Sequence, residues 1–316
     1  MKSRFLLFLA AVLLGATPVA LAQGQLKQST IGRPKDIAIV KSKPLLVLLK
    51  DEDPDELKVL ANRPQELATY QAYIAGYNSH LRELATKIWK LSPSVEFRQE
   101  SEYTALRKTR KAEFVVFKHL RFTQVIMHTY GKQPDYDSYA KARYSGVSVM
   151  VLEIVGDGDE RLVGRVQLSQ GPVYTSDLSF SLAYIQHYLQ ERAAGRSDGD
   201  IEDDIAKNAK QLPAKTLLID QAIAVKMAPE DIKEVYPYPY QLVPRQVIET
   251  AAATNDGRYA YVRLIPDTPT ITRQVAVDAA TGDVLSAWKP NMLTLINDGS
   301  YVDKTSLKNL AKLVAK

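Results

Sequence analysis

Apolar and polar positions along this chain follow two periods, and the longest pattern is helical. Leu67, Tyr70, Ile74, Tyr77, Leu81, Leu84, Ile88 and Leu91 recur at alternating intervals of three and four residues, which puts one apolar seam on a helix over 64–91. Pro64 suits its first turn, and Ser92-Pro93 ends it, because proline disfavours the helical conformation of the residue before it. Short apolar runs at 37–40 and 44–50 predict buried strands, the second closed by the acidic, proline-containing 51–55. Next come a strand at 95–99, a short helix at 101–110 and a β-rich run over 113–127. A hairpin over 146–168 turns at Gly156-Asp157-Gly158-Asp159, and a helix over 177–192 carries Leu178, Leu182, Ile185 and Leu189 on one face.

The polar, glycine-containing stretch 195–204 divides the chain, and the elements after it repeat the order before it. Strands are predicted at 215–220, 240–243 and 259–265, helices at 229–234, 244–253 and 304–315. A hairpin over 274–287 turns on Thr281-Gly282-Asp283. The expected fold is α/β or α+β: two similar mixed halves, each a small sheet with covering helices, in the manner of a divergent tandem duplication. The halves are placed at 23–195 and 205–316. Each reads as β-α-β-α-β-β-α, an order similar to that of small α/β domains of bacterial envelope assemblies.

The first 22 residues form a different pattern. Lys2 and Arg4 precede a short apolar core from Phe5 to Leu14, and Ala20-Leu21-Ala22 fits the small-residue rule for cleavage before Gln23. Residues 1–22 are therefore expected to be a secretory signal, with the mature chain soluble in the periplasm or medium and without an integral membrane segment. Cysteine is absent, which removes disulfides, thiolate nucleophiles and cysteine-type zinc sites. Net charge is +5; without Lys2 and Arg4, 39 basic residues face 36 acidic ones. That balance suits solubility and is far from a nucleic-acid signature.

No catalytic constellation stands out. The four histidines, His80, His119, His128 and His187, form no zinc motif. On one continuous strand His119 and His128 would face opposite ways. Ser138-Tyr-Ala-Lys141 matches S-x-x-K without the elements that accompany it in penicillin-binding enzymes. The acidic run 198–204 lacks the glycine and the terminal glutamate of a calcium loop, and no phosphate-binding glycine loop occurs. No catalytic residue, metal ligand or cofactor is expected.

Tyrosine is the unusual residue, with 17 against seven phenylalanines and two tryptophans. Rigid rings with a polar tip suit peptide and sugar surfaces. Tyr130, Tyr136, Tyr139 and Tyr144 share a stretch with Lys141 and Arg143, while Tyr236, Tyr238 and Tyr240 alternate with prolines in a necessarily extended segment. These nine residues are the candidate binding residues.

From Pro244 to Ser286 the chain runs helix, Asp256-Gly-Arg-Tyr-Ala-Tyr-Val-Arg-Leu264, then Arg273-Gln-Val-Ala-Val-Asp-Ala-Ala-Thr-Gly-Asp-Val-Leu285. The region 244–286 resembles a PepSY-type module, whose closing hairpin carries an Asp-x-x-Thr-Gly turn. The resemblance implies an exported, non-catalytic module associated with protease regulation or envelope binding. Together these features predict an interaction protein of the bacterial envelope, its partner a protein, peptide or glycan and not nucleic acid. Two alternatives stand beside it: a hydrolase built on scattered carboxylates, and a homo-oligomeric structural subunit zipped through helix 64–91.

Overall fold

A computed structural model describes residues 33–110, 113–122, 147–156, 160–168, 172–224, 227–268, 271–288 and 301–315. The first half opens with helix α1 (Pro34–Ser42), strand β1 (Leu45–Leu49), helices α2 (Pro54–Leu60) and α3 (Pro64–Ile88), strand β2 (Val95–Gln99) and helix α4 (Glu100–Thr109). Strands β3 (Val115–Phe122), β4 (Val147–Val155) and β5 (Glu160–Leu168) follow, and helix α5 (Thr175–Ala193) closes the half. Helix α6 (Asp198–Asn208) and a 3-10 turn (Ala209–Ala214) lead into β6 (Thr216–Asp220), α7 (Pro229–Val235), β7 (Tyr240–Val243) and α8 (Arg245–Ala253). The chain ends with β8 (Tyr259–Thr268), β9 (Ile271–Asp278), β10 (Val284–Trp288) and α9 (Lys304–Val314).

Two five-stranded sheets result, and their topologies coincide. In the first, β1 lies parallel between β2 and β3, and β4 and β5 extend it antiparallel in the order β2-β1-β3-β4-β5. In the second, β6 lies parallel between β7 and β8, followed antiparallel by β9 and β10. Registers agree as well. Leu45 faces Val95 and Val115 as Leu217 faces Tyr240 and Ala260, so Lys118 on β3 corresponds to Arg263 on β8. Each half thus reads β-α-β-α-β-β-β-α, one strand more than the order expected from the sequence, because the hairpin adds two strands to the third.

Helix α3 covers one face of the first sheet and α4 the other. The middle of the α3 seam is buried inside the molecule: Ile74, Tyr77, Leu81 and Leu84 are all buried, the last three in a core shared with β1, β3, β4 and α5. That core continues into the second half through Leu218, Ile248, Tyr261, Val275 and Val277, which makes α5 the layer between the two sheets. The outer face of the second sheet packs separately, with Leu217, Ile219 and Val262 against Ile232, Leu307 and Leu310.

Two expected elements come out differently. The apolar run 37–40 is a helix, because Pro34 sets its first turn, Asp36 reaches back to the Arg33 N–H (3.2 Å), and Ile37 and Val40, three apart, share one buried face. The polar stretch 195–204 is also no open linker. Ser197 caps α6, accepting from the Asp200 N–H (3.2 Å), and Ile201 and Ile205 are buried in the shared core. Gly282 turns the β9–β10 hairpin at φ +77° with Ser179 and Ala183 of α5 directly beneath it.

Candidate functional site

In a sheet ordered 2-1-3 the chain leaves β1 toward one side and later returns on the other. Outside the carboxyl ends of such strands lies the place where open α/β sheets bind ligands. In the first half that edge gathers Lys50, Tyr73, Tyr77, His119 and Arg121 from β1, α3 and β3. Lys50 directly follows β1, and its backbone is fixed from both sides: its N–H donates to Asn78 Oδ1 (2.8 Å) and its carbonyl accepts from Asn78 Nδ2 (2.9 Å). Gln99, at the end of β2, donates to Asp51 Oδ1 (3.1 Å), and Asp51 Oδ2 accepts from the Ser101 N–H in the first turn of α4 (2.7 Å).

With its backbone held, the half-buried Lys50 extends its ammonium over two rings of α3, 4.3 Å from the Tyr77 centroid and 5.5 Å from that of Tyr73. The two rings lie 6.5 Å apart. Burial lowers the Lys50 pKa to about 8; the Glu100 carboxylate pulls it up and Arg121 pushes it further down. Tyr77 is 4 % exposed, and its hydroxyl has no hydrogen-bond partner among the described residues. Burial raises its pKa, so the phenol stays protonated. The ring of His119 stands 6.5 Å from that of Tyr77, with Nε2 2.6 Å from Ser148 Oγ on β4. Burial, then Lys50 and Arg121, lower its pKa to about 3, leaving a neutral imidazole.

The second sheet does not repeat this arrangement. Register places the exposed Ala222 where the first half has Lys50. The first turn of α5 instead docks beside α8. Glu249 accepts from the Ser176 N–H (2.9 Å) and hydroxyl (2.8 Å), Arg245 donates to Ser176 Oγ (2.9 Å), and Tyr261 donates to the Ser176 carbonyl (3.2 Å). Arg263, 1 % exposed, is ion-paired with Asp177, 2 % exposed. This buried network joins the halves.

A cleft of about 250 Å³ opens between α5, α6 and the β9–β10 hairpin, lined by Tyr184, His187, Asn208, Gln211, Asp278 and Asp283 among others. Two carboxylates, Asp278 and Asp283, are among its lining residues. Asp278, however, is committed to the fold: it pairs with Lys215 (2.9 Å) and accepts from the Ala280 N–H in the turn (2.8 Å). Among the described residues no three His, Cys, Asp or Glu side chains form a metal-binding group. No helix among them is long and apolar enough to cross a membrane.

The nine tyrosine-segment residues fall into two sets. Tyr130, Tyr136, Tyr139, Lys141, Arg143 and Tyr144 lie outside the described residues, between Phe122 and Val147; the end of β3 that precedes them is at the Lys50 edge. Tyr236, Tyr238 and Tyr240 do not form a surface patch. Tyr236 is fully buried in the outer core of the second half, the half-buried Tyr238 stands edge-on to it at 5.2 Å, and the Tyr240 hydroxyl donates to the Pro229 carbonyl. The extended Pro-Tyr-Pro segment turns their rings inward onto α7. Sequence reasoning passed over Lys50, Tyr73 and Tyr77 because they carry no motif; Tyr77 read only as a member of the helical seam, and Tyr73 lies off that seam. No family model matches the chain, and no curated protein or solved structure matches it.

Proposed function

We propose that this chain is an exported binding protein of the bacterial envelope, and that the carboxyl edge of its first sheet, with the tyrosine- and base-rich segment 130–146 that follows β3, takes an envelope peptide, protein or glycan. The observation that carries this reading is the Lys50 ammonium, seated at a topological switch point on the rings of Tyr73 and Tyr77, the second of which has a buried hydroxyl without a hydrogen-bond partner among the described residues. A buried tyrosine hydroxyl is costly to desolvate and leave unpaired, which favours a ligand that satisfies it. Export is supported by the basic start, short apolar core and A-x-A site of residues 1–22. The PepSY-type resemblance of 244–286 points to the same compartment.

The test is affinity capture from an envelope extract and from purified peptidoglycan fragments, using protein that begins at Gln23. It is compared with Lys50→Ala and with a variant carrying a short Gly/Ser linker in place of 130–146. A ligand retained by the parent and lost by both variants, each with the parent's circular dichroism, establishes the function and its place. Equal capture by all three proteins refutes the proposed site.

A further inference from the structure

We propose that the cleft between α5, α6 and the β9–β10 hairpin is a further binding site, and that it takes one pyranose ring of an uncharged saccharide. It is built from elements other than those of the Lys50 edge, so the inference stands apart from the reading of that edge. The walls of the cleft are fixed before a ligand arrives. Gly282 seats the hairpin turn against Ser179 and Ala183 of α5, while Ile201 and Ile205 anchor α6 in the shared core. The cleft volume of about 250 Å³ lies below the roughly 300–1,000 Å³ of sites that take drug-sized ligands, which suits a single ring.

The lining selects the chemistry. Tyr184, half-buried and stacked on Phe180 at 5.4 Å, offers aromatic surface to the C–H face of a sugar. Beside it stand side chains that both give and take hydrogen bonds, as sugar hydroxyls do. Gln211 donates to Asn208 Oδ1 (3.3 Å), which leaves the Asn208 amide hydrogens and the Gln211 carbonyl oxygen for a ligand. Thr281 Oγ1 accepts from the Asp283 N–H (3.2 Å) and keeps its own proton to donate. The half-buried His187 imidazole and the exposed Asp283 carboxylate make no hydrogen bond or ion pair with another described side chain. Charge argues against the other ligand classes. No lysine or arginine among the described residues lines the cleft, so an anion finds no counter-charge there. A cation fares little better: the buried Asp278 is already paired with Lys215 (2.9 Å) and bonded to the Ala280 N–H (2.8 Å), and Asp283 is exposed to screening solvent.

The experiment titrates methyl glucoside, methyl mannoside and N-acetylglucosamine, each to about 50 mM, into the isotope-labelled whole chain from Gln23, with tetralysine as a cationic probe. The side-chain amide resonances of Asn208 and Gln211, identified by their loss in Asn208→Ala and Gln211→Ala, report the site. At least one sugar should shift both resonances with a Kd on the order of 1 mM, what one ring of roughly a dozen non-hydrogen atoms gains at ordinary ligand efficiency. Asp283→Asn keeps the shape of an exposed side chain and removes its charge, and should weaken that binding about tenfold. Resonances that no sugar moves overturn the proposal, and so do resonances moved by tetralysine alone. A sugar whose affinity survives both Asp283→Asn and Asn208→Ala, each with the parent's circular dichroism, binds elsewhere and also overturns it.

Discussion

At the scale of single residues, burial decides which charges this protein carries. His119 is neutral in the folded state down to about pH 3, whereas in the unfolded chain it takes up a proton near pH 6.5. Between those values the unfolded state binds more protons, so this residue makes stability fall as pH falls through that window; above it the contribution is fully present. Urea midpoints measured from pH 7 down to pH 4 should therefore drop more steeply in the parent than in His119→Gln, whose amide keeps a hydrogen-bonding group near Ser148. Parallel curves for the two proteins would show that His119 does not titrate as its surroundings dictate. Gly282 is a residue-scale constraint of another kind. Its φ of +77° is strained for any side chain, and an added Cβ would lie 2.9 Å from Ala183 Cβ and 3.2 Å from the Ser179 carbonyl. Because the obstacle on one side is backbone, Gly282→Ala should cost on the order of 2–3 kcal/mol, measurable by urea unfolding.

At the scale of elements, what was legible in the sequence was what one element decides alone. The three-four repeat of Leu67 to Leu91 names α3 to within three residues of its end; the helix stops at Ile88, where Trp89 turns extended, ahead of the Ser92-Pro93 signal. The repeated element order was legible too, because each hairpin and helix signals itself through its own turn chemistry. Misreadings came where a short run fits two periods: Ile37 and Val40 satisfy a strand or one helical face, and only the shared core selects the helix. The Lys50 cluster was illegible for a stronger reason. It is assembled from residues 50, 73, 77 and 119, brought together by parallel pairing of β1 with β3 and by α3 lying across them, and no local pattern encodes that meeting. Tyr236 shows the converse, since its composition-based promise as a surface residue is cancelled by packing against α7. Small surface contacts between elements matter less. Lys304 joins α9 to Glu234 (2.5 Å) and Asp231 (3.4 Å) of α7, but all three side chains are exposed to screening solvent, so Lys304→Ala should leave the urea midpoint essentially where it is in the same denaturation experiment.

At the scale of the whole molecule, two halves of one topology are not two independent bodies, because α5 belongs to both. Its one face completes the core under the first sheet, and its other face buries Tyr261, Val275, Val277 and Ile248 of the second. The polar side of the junction is as demanding as the apolar side. Arg263 sits 1 % exposed with Asp177 of α5 as its counter-ion, and the Arg263 Nε and Nη2 atoms have no other hydrogen-bond partner among the described residues. Separating the halves would therefore expose an apolar sheet face and strip a buried guanidinium of its carboxylate, a loss that on its own typically costs about 3–5 kcal/mol. The corresponding cation of the first half, Lys118, finds Glu153 on the neighbouring strand, 2.6 Å away, and lies 5.1 Å from the centroid of the Tyr103 ring of α4, both within its own half. The dependence is thus one-sided. A fragment of residues 197–316 should fail to fold alone, giving an undispersed amide spectrum. The full chain should unfold in urea as a single transition that Asp177→Ala shifts to lower denaturant by about 3–5 kcal/mol without splitting it. A well-dispersed spectrum from the fragment would refute the shared core as the element that holds the second half together.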